Sequence, residues 1–112
     1  MREIKFRAWD SVQERMRPFQ DIHDVEILPD GTLRHMWPKC FLMQFTGVRD
    51  ANGKEIYEGD IVRDPDIEFA REVYWDDEMN GFGTRHKNYY TPIGDGDEVI
   101  GDVFRDPGLM EV

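Results

Sequence analysis

The residues of this 112-residue chain that could do chemistry are one cysteine, three histidines and twenty-four carboxylates. A cysteine attacks as its thiolate, so it needs a base or a positive field beside it. Around Cys40 the neighbours Pro38, Lys39 and Phe41 supply one charge and no base, and an inert, packed thiol is expected. Being alone, Cys40 also rules out an intrachain disulfide and a cysteine-rich metal site. In Asp21-Ile22-His23-Asp24 a strand would turn Asp21 and His23 the same way, with His35 and Cys40 as further donors. Scattered histidines in an acidic chain arise without a site, so a structural or surface role is expected for them.

Two loops resemble ligand motifs and fail on spacing. Starting at Asp76, Glu78 and Asn80 fall at the third and fifth places of a calcium loop and Gly81 at the sixth. The twelfth place requires a bidentate Glu and holds Lys87. Gly81-Phe82-Gly83-Thr84-Arg85-His86 puts His86 where a dinucleotide fingerprint needs its third glycine, outside any strand-to-helix context. No catalytic, cofactor-binding or metal-binding residue is expected, and no cofactor. What remains is aromatic: Trp9, Trp37, Tyr57, Trp75, Tyr89 and Tyr90 are the candidate partner-binding residues. Clustered at a surface, such rings make a peptide groove or a stacking platform. Their ordinary use is core packing and subunit contact.

The net charge of −10 is uneven. Residues 1–49 carry eight Lys/Arg against seven Asp/Glu, and residues 50–112 carry six against seventeen, so the balances are +1 and −11. That field opposes direct nucleic-acid binding, which depends on neutralising phosphates. Solubility is its simplest purpose. An acidic face that imitates nucleic acid and sequesters a DNA-binding factor is the alternative. The charged opening, MREIKFRAWD, lacks the apolar stretch of a secretory signal. No run nears the roughly 20 apolar residues of a membrane span, and a soluble cytoplasmic protein is expected.

The elements that would position these residues are strands. Glu3–Ala8 alternates at period two, with Ile4, Phe6 and Ala8 on one face. Further strands are expected at 15–19, 21–28, 32–36, 41–45, 54–62, 67–75, 89–90 and 98–104. Residues 76–83 read as a polar loop. Pro29-Asp30-Gly31, Asn52-Gly53, Asp64-Pro65-Asp66 and Gly94-Asp95-Gly96-Asp97 are turns, where glycine supplies positive φ and proline fixes it. Gly59-Asp60 interrupts its strand and predicts a bulge or sharp bend. No segment holds helical apolar spacing for twelve residues, so the chain is expected to be mainly β, with at most a short helix.

Three segments carry a resemblance: REIKFRAWD at 2–10, LMQFTGVRDANGKEIYEGDIV at 42–62 and VIGDVFRDPGLM at 99–110. With Val73-Tyr74-Trp75 and Gly81-Phe82 between them, the chain resembles the YopX family of small phage and prophage proteins. The resemblance implies an SH3-like small barrel with an N-terminal β-rich extension, and self-assembly into a homo-oligomer. A single domain over 1–112 is expected, as an extension over 1–40 and a barrel-like core over 41–112. Gly47, Gly53, Gly59 and Asp60 are its structural signature, with Ile56, Ile61 and Val62 filling the interior. The resemblance brings no active-site residues. A non-enzymatic accessory protein that binds itself or a host or phage protein is the expectation, with a metal-dependent enzyme as a lesser alternative.

Overall fold

The computed structural model describes residues 4–18, 20, 25–27, 29, 33–35 and 40–110. It is mainly β. The strands are β1 (Phe6–Asp10), β2 (Arg15–Arg17), β3 (Val25–Ile27), β4 (Leu33–His35), β5 (Cys40–Arg49), β6 (Glu55–Tyr57), β7 (Asp60–Arg63), β8 (Arg71–Asp76), β9 (Gly81–His86), β10 (Tyr89–Thr91) and β11 (Glu98–Asp102). A 3-10 turn, Pro107–Met110, follows them. The chain divides into two compact units, Met1–Phe45 and Thr46–Val112, with β5 beginning in the first and ending in the second.

In the first unit β1 pairs antiparallel with β2 on one side and with the first half of β5 on the other. Phe6 and Ala8 are buried on one face, as their alternation predicts, whereas Ile4 lies ahead of the strand and is 63% exposed. The opposite face is also covered: Met43 and Phe45 are buried beneath the side chains of Arg7 and Lys5. The contacts are made by the charged ends: Arg7 Nη2 meets Met43 Sδ at 3.6 Å, and Lys5 Nζ lies over the Phe45 ring at 5.1 Å. β3 and β4 form a short antiparallel ladder with Val25 opposite His35.

The second unit contains a five-stranded antiparallel sheet in the order β10-β9-β8-β7-β11, while β6 follows the second half of β5. Ile56, Val62 and Val73 are fully buried in one cluster, with Ile93 and Val99 packed against it. The strands curl around this cluster as a half-barrel. Ile61 is also fully buried although it points away from Val62, so both faces of β7 are covered. The expected bend at Gly59-Asp60 separates β6 from β7. Gly59 sits at φ 87°, donates to the Val73 carbonyl and accepts from Val103 N–H, both at 2.9 Å. Only glycine takes that conformation at no steric cost. In β11 the pairing slips between Val99 and Gly101, and the extra residue Ile100 is pushed outward, 40% exposed.

One expected loop is largely strand. Residues 76–83 were expected to be irregular because glycine is a poor strand former. Gly81 and Gly83 instead pair with Asp76 and Tyr74, and the loop shrinks to residues 77–80. The Tyr74 ring lies over Gly83, 3.6 Å from where a Cβ would stand. Tertiary contact outweighs propensity there.

Aspartates organise the turns. Asp10 accepts from the N–H groups of Val12 and Gln13, and Glu14 closes the loop at φ 52°. Asp76 repeats the arrangement with Glu78 and Met79, and Asn80 closes at the same φ. Asp102 accepts from Phe104 and Arg105 in the same i+2, i+3 pattern. Each carboxylate thus satisfies main-chain donors that the turn leaves unpaired.

Candidate functional site

The candidate aromatics separate into different roles. Trp9 is buried in the first unit, 9% exposed. Trp37 lies outside the described residues, as do Asp21, His23 and Asp24. Tyr57 is half-buried and its hydroxyl reaches Glu55 at 3.3 Å. Trp75 packs edge-on against Phe82 at 4.9 Å and donates its indole N–H to Asp77 at 2.9 Å. Tyr89 and Tyr90, adjacent on β10, are 44% and 62% exposed. Tyr89 sits edge-on to Phe69 at 5.0 Å, and Phe69 in turn meets the buried His86 at 4.8 Å.

Tyr90 belongs to a cluster. Directly opposed residues of an antiparallel pair share a face, and Tyr90 lies opposite Arg85, which lies opposite Glu72. The Arg85 guanidinium rests over the Tyr74 ring at 4.4 Å and bonds Glu72 at 3.3 Å. The Tyr74 and Tyr90 rings meet edge to face at 6.3 Å. The Tyr74 hydroxyl donates to Asp76 at 3.0 Å, which fixes the ring. Burial and the Asp76 carboxylate hold the Tyr74 phenol above its ordinary pKa, so it remains a donor. A partly apolar surface with one stacked cation results, across β8, β9 and β10. Arg85 was not singled out from sequence. The available signal was residues 79–94, a stretch without any acid in the acidic half of the chain, holding Arg85 and Lys87.

The two edges of the five-stranded sheet differ. At β11 the Val99 N–H donates to the Asp50 carboxylate at 2.9 Å, and Ala51 N–H donates to the Asp97 carbonyl at 3.0 Å. At the other edge, Lys87 and Asn88 form a two-residue loop between β9 and β10, with Lys87 at φ 52°. The residues closing such a loop, His86 and Tyr89, form the hydrogen-bonded pair, and pairs then alternate along the ladder. The N–H and C=O of Tyr90 therefore point outward, along the sheet edge. β10 is held in place from below: Thr84 Oγ1 donates to the Thr91 carbonyl at 2.9 Å and accepts from Arg71 Nε at 3.0 Å. Arg71 Nη2 meets Asp97 Oδ1 at 2.5 Å, both side chains being shut off from solvent.

Asp50, Asp102 and Cys40 are shifted by their local contacts. Burial would raise the Asp50 pKa, but the N–H groups of Val99, Lys54 and Asn52 outweigh it and hold the carboxyl below its ordinary range. For Asp102, burial is likewise outweighed by the Arg105 and Phe104 N–H groups and the Arg105 guanidinium. Cys40 is half-buried, and burial followed by the nearby Asp10 charge pushes its thiol pKa up, away from thiolate chemistry. Among the described residues no three His, Cys, Asp or Glu side chains gather in a way that could hold a metal. Also among the described residues, no helix is long and apolar enough to cross a membrane.

Gly47 and Gly53 take φ of 87° and 84°, and Asp60, 1% exposed, accepts the Tyr57 N–H at 2.8 Å across the Gly59 turn. Gly47 lies within β5 beside Thr46, whose hydroxyl donates to the Ile56 carbonyl at 2.8 Å. A crystal structure of protein EF1440 from Enterococcus faecalis is similar to this chain, with a TM-score of 0.68 and 25% identity. The similarity covers 98% of this chain and 99% of that one. No curated protein matches it. The family model described as YopX protein matches residues 5–111, nearly the whole length, and the chain belongs to the YopX family.

Proposed function

We propose that the protein is a non-enzymatic protein-interaction module that also associates with copies of itself. The observation that carries this reading is the exposed Tyr90 on an open sheet edge, set beside the Arg85-stacked Tyr74. Aromatic and arginine side chains dominate the energetics of protein interfaces. Val48 and Ile100, 43% and 40% exposed, are apolar groups of the second unit suited to self-contact. The inertness of Cys40 and the absence of a metal-ligating group among the described residues favour binding over catalysis. We read it as a phage or prophage accessory protein working in the cytoplasm of a bacterial host, in keeping with its family. The acidic-mimic reading is less favoured, because Asp50, Asp60, Asp97 and Asp102 are turned inward.

Light scattering at micromolar concentration tests the self-association. A mass that is a multiple of 13.3 kDa is expected, and a clean monomer would remove that part of the reading. Affinity capture from lysogenic cells tests the rest, comparing the wild type with Tyr90→Ala. Host or phage proteins retained by the first and lost from the second are expected; identical sets on both would count against the β10 surface.

A further inference from the structure

We propose that Asn52 is a site of spontaneous deamidation, that the Asp50 turn holds it inert, and that its conversion releases the β11 edge. The proposal goes beyond the interaction-module reading and does not depend on it.

The chemistry belongs to the Asn52-Gly53 pair. Asparagine side chains are thermolabile, and a glycine that follows one leaves the attack on it unhindered. Both residues are exposed, and a Cβ on Gly53 would meet nothing within 4 Å, so solvent reaches the pair freely. In the reaction the Gly53 main-chain nitrogen forms a bond to Asn52 Cγ and gives its proton to hydroxide. The bond from Cγ to the side-chain nitrogen breaks, and that nitrogen leaves as ammonia with a proton from water. Water then opens the cyclic imide at either carbonyl, leaving an aspartyl or isoaspartyl residue at position 52.

The folded turn opposes the first step. The Gly53 N–H is donated to the Asp50 carbonyl at 2.9 Å, so its proton is already engaged. Neither Ala51 nor Asn52 has a positive φ, which makes 50–53 a type I turn with an Asn52 ψ of about 0°. At that ψ the Gly53 nitrogen lies away from Asn52 Cγ and must swing about the Asn52 Cα–C bond to reach it. The flanking bonds resist the swing. Asp50 Oδ1 accepts from the N–H groups of Asn52 and Lys54 at 2.9 and 2.8 Å, and Arg49 Nη1 donates to the Gly53 carbonyl at 3.3 Å.

The products do not fit the same turn. An isoaspartyl linkage adds one carbon to the main chain between positions 52 and 53, and either product sets a new carboxylate beside Asp50. The turn then loses its register. With it go the Asp50 bond to Val99 N–H and the Ala51 bond to the Asp97 carbonyl, which together cover the β11 edge. Asn80-Gly81, the other Asn-Gly pair of the chain, closes a loop organised by Asp76 and serves as an internal reference.

Peptide mapping by mass spectrometry tests the gate, on full-length protein held at mildly alkaline pH. Conversion at Asn52 should be about tenfold or more slower in the native protein than in urea, because turn opening must precede it. In Asp50→Ala, checked as folded by far-UV circular dichroism, Asn52 should convert about tenfold or more faster than in the wild type, and Asn80 at an unchanged rate. Equal rates in native protein and in urea would overturn the gate. So would no acceleration at Asn52 in the variant, or the same acceleration at both asparagines. Hydrogen exchange on the purified isoaspartyl protein tests the consequence. The Val99 amide should lose its protection, and a Val99 amide as protected as before would overturn the release of β11.

Discussion

At the scale of single residues, the carboxylates explain more of the fold than any other side chain. Asp50 bonds the N–H groups of Asn52, Lys54 and Val99 and so joins its own turn to a strand 49 residues later. Replacing Asp50 with Ala orphans these donors and should lower unfolding free energy by about 2–3 kcal/mol, measured in urea. The pH dependence follows from the same bonds. Asp50 and Asp102 have folded pKa values below the ordinary 3.8, so the unfolded chain binds protons more readily than the folded one. Their contribution is complete above about pH 4 and is lost as pH falls through the folded values. Melting temperature should therefore drop below about pH 4, with a shallower drop in Asp50→Ala. A steeper acid limb in that variant would contradict this role. The acidity seen in the sequence was legible as a charge balance; that several of these groups face inward was not. Turn-forming Asp-Gly and Pro-Asp pairs marked the turns, but burial depends on what packs over them.

At the scale of elements, alternation revealed β1, and β-branched and aromatic runs revealed β8. Gly59-Asp60 marked a bend inside one expected strand over 54–62; the bend is present, but it ends β6 and starts β7 in a different sheet. β9 was missed because its pattern is two interleaved ones: Phe82, Thr84 and His86 point inward, while Gly81, Gly83 and Arg85 point outward. The Tyr74 ring packs over Gly83 at ordinary contact distance, a pairing that no local propensity encodes. Two predictions belong here. Gly59→Ala forces a Cβ onto a left-handed residue hydrogen-bonded on both sides and should cost about 1–2 kcal/mol. An unchanged melting temperature would show that the turn relaxes. Removing one member of the buried Arg71–Asp97 pair, as in Arg71→Met, should cost about 3–5 kcal/mol by leaving an unpaired charge. The double variant Arg71→Met/Asp97→Leu should recover much of that loss in a double-mutant cycle. Simple additivity of the two losses would mean that the pair is not energetically coupled.

At the scale of the whole molecule, family kinship and the mainly β architecture were both readable in the chain, the first from three segments spread along it and the second from dense turn residues between short apolar runs. The candidate site was only partly readable. The tyrosines were legible as aromatics, but Arg85 was not singled out, because strand register alone brings Tyr90 opposite Arg85 and Tyr74 opposite Gly83. Nor could the sequence show that Asp50 guards one edge of the sheet while the other stays open. That asymmetry is the basis for reading the protein as a binding module. Its most direct test is residue-resolved amide hydrogen exchange on the full-length protein without any partner. The Val99 amide, bonded to Asp50, should be protected, and the Tyr90 amide should exchange at close to the rate of an exposed peptide. A protected Tyr90 amide in the free protein, or an unprotected Val99 amide, would contradict the account.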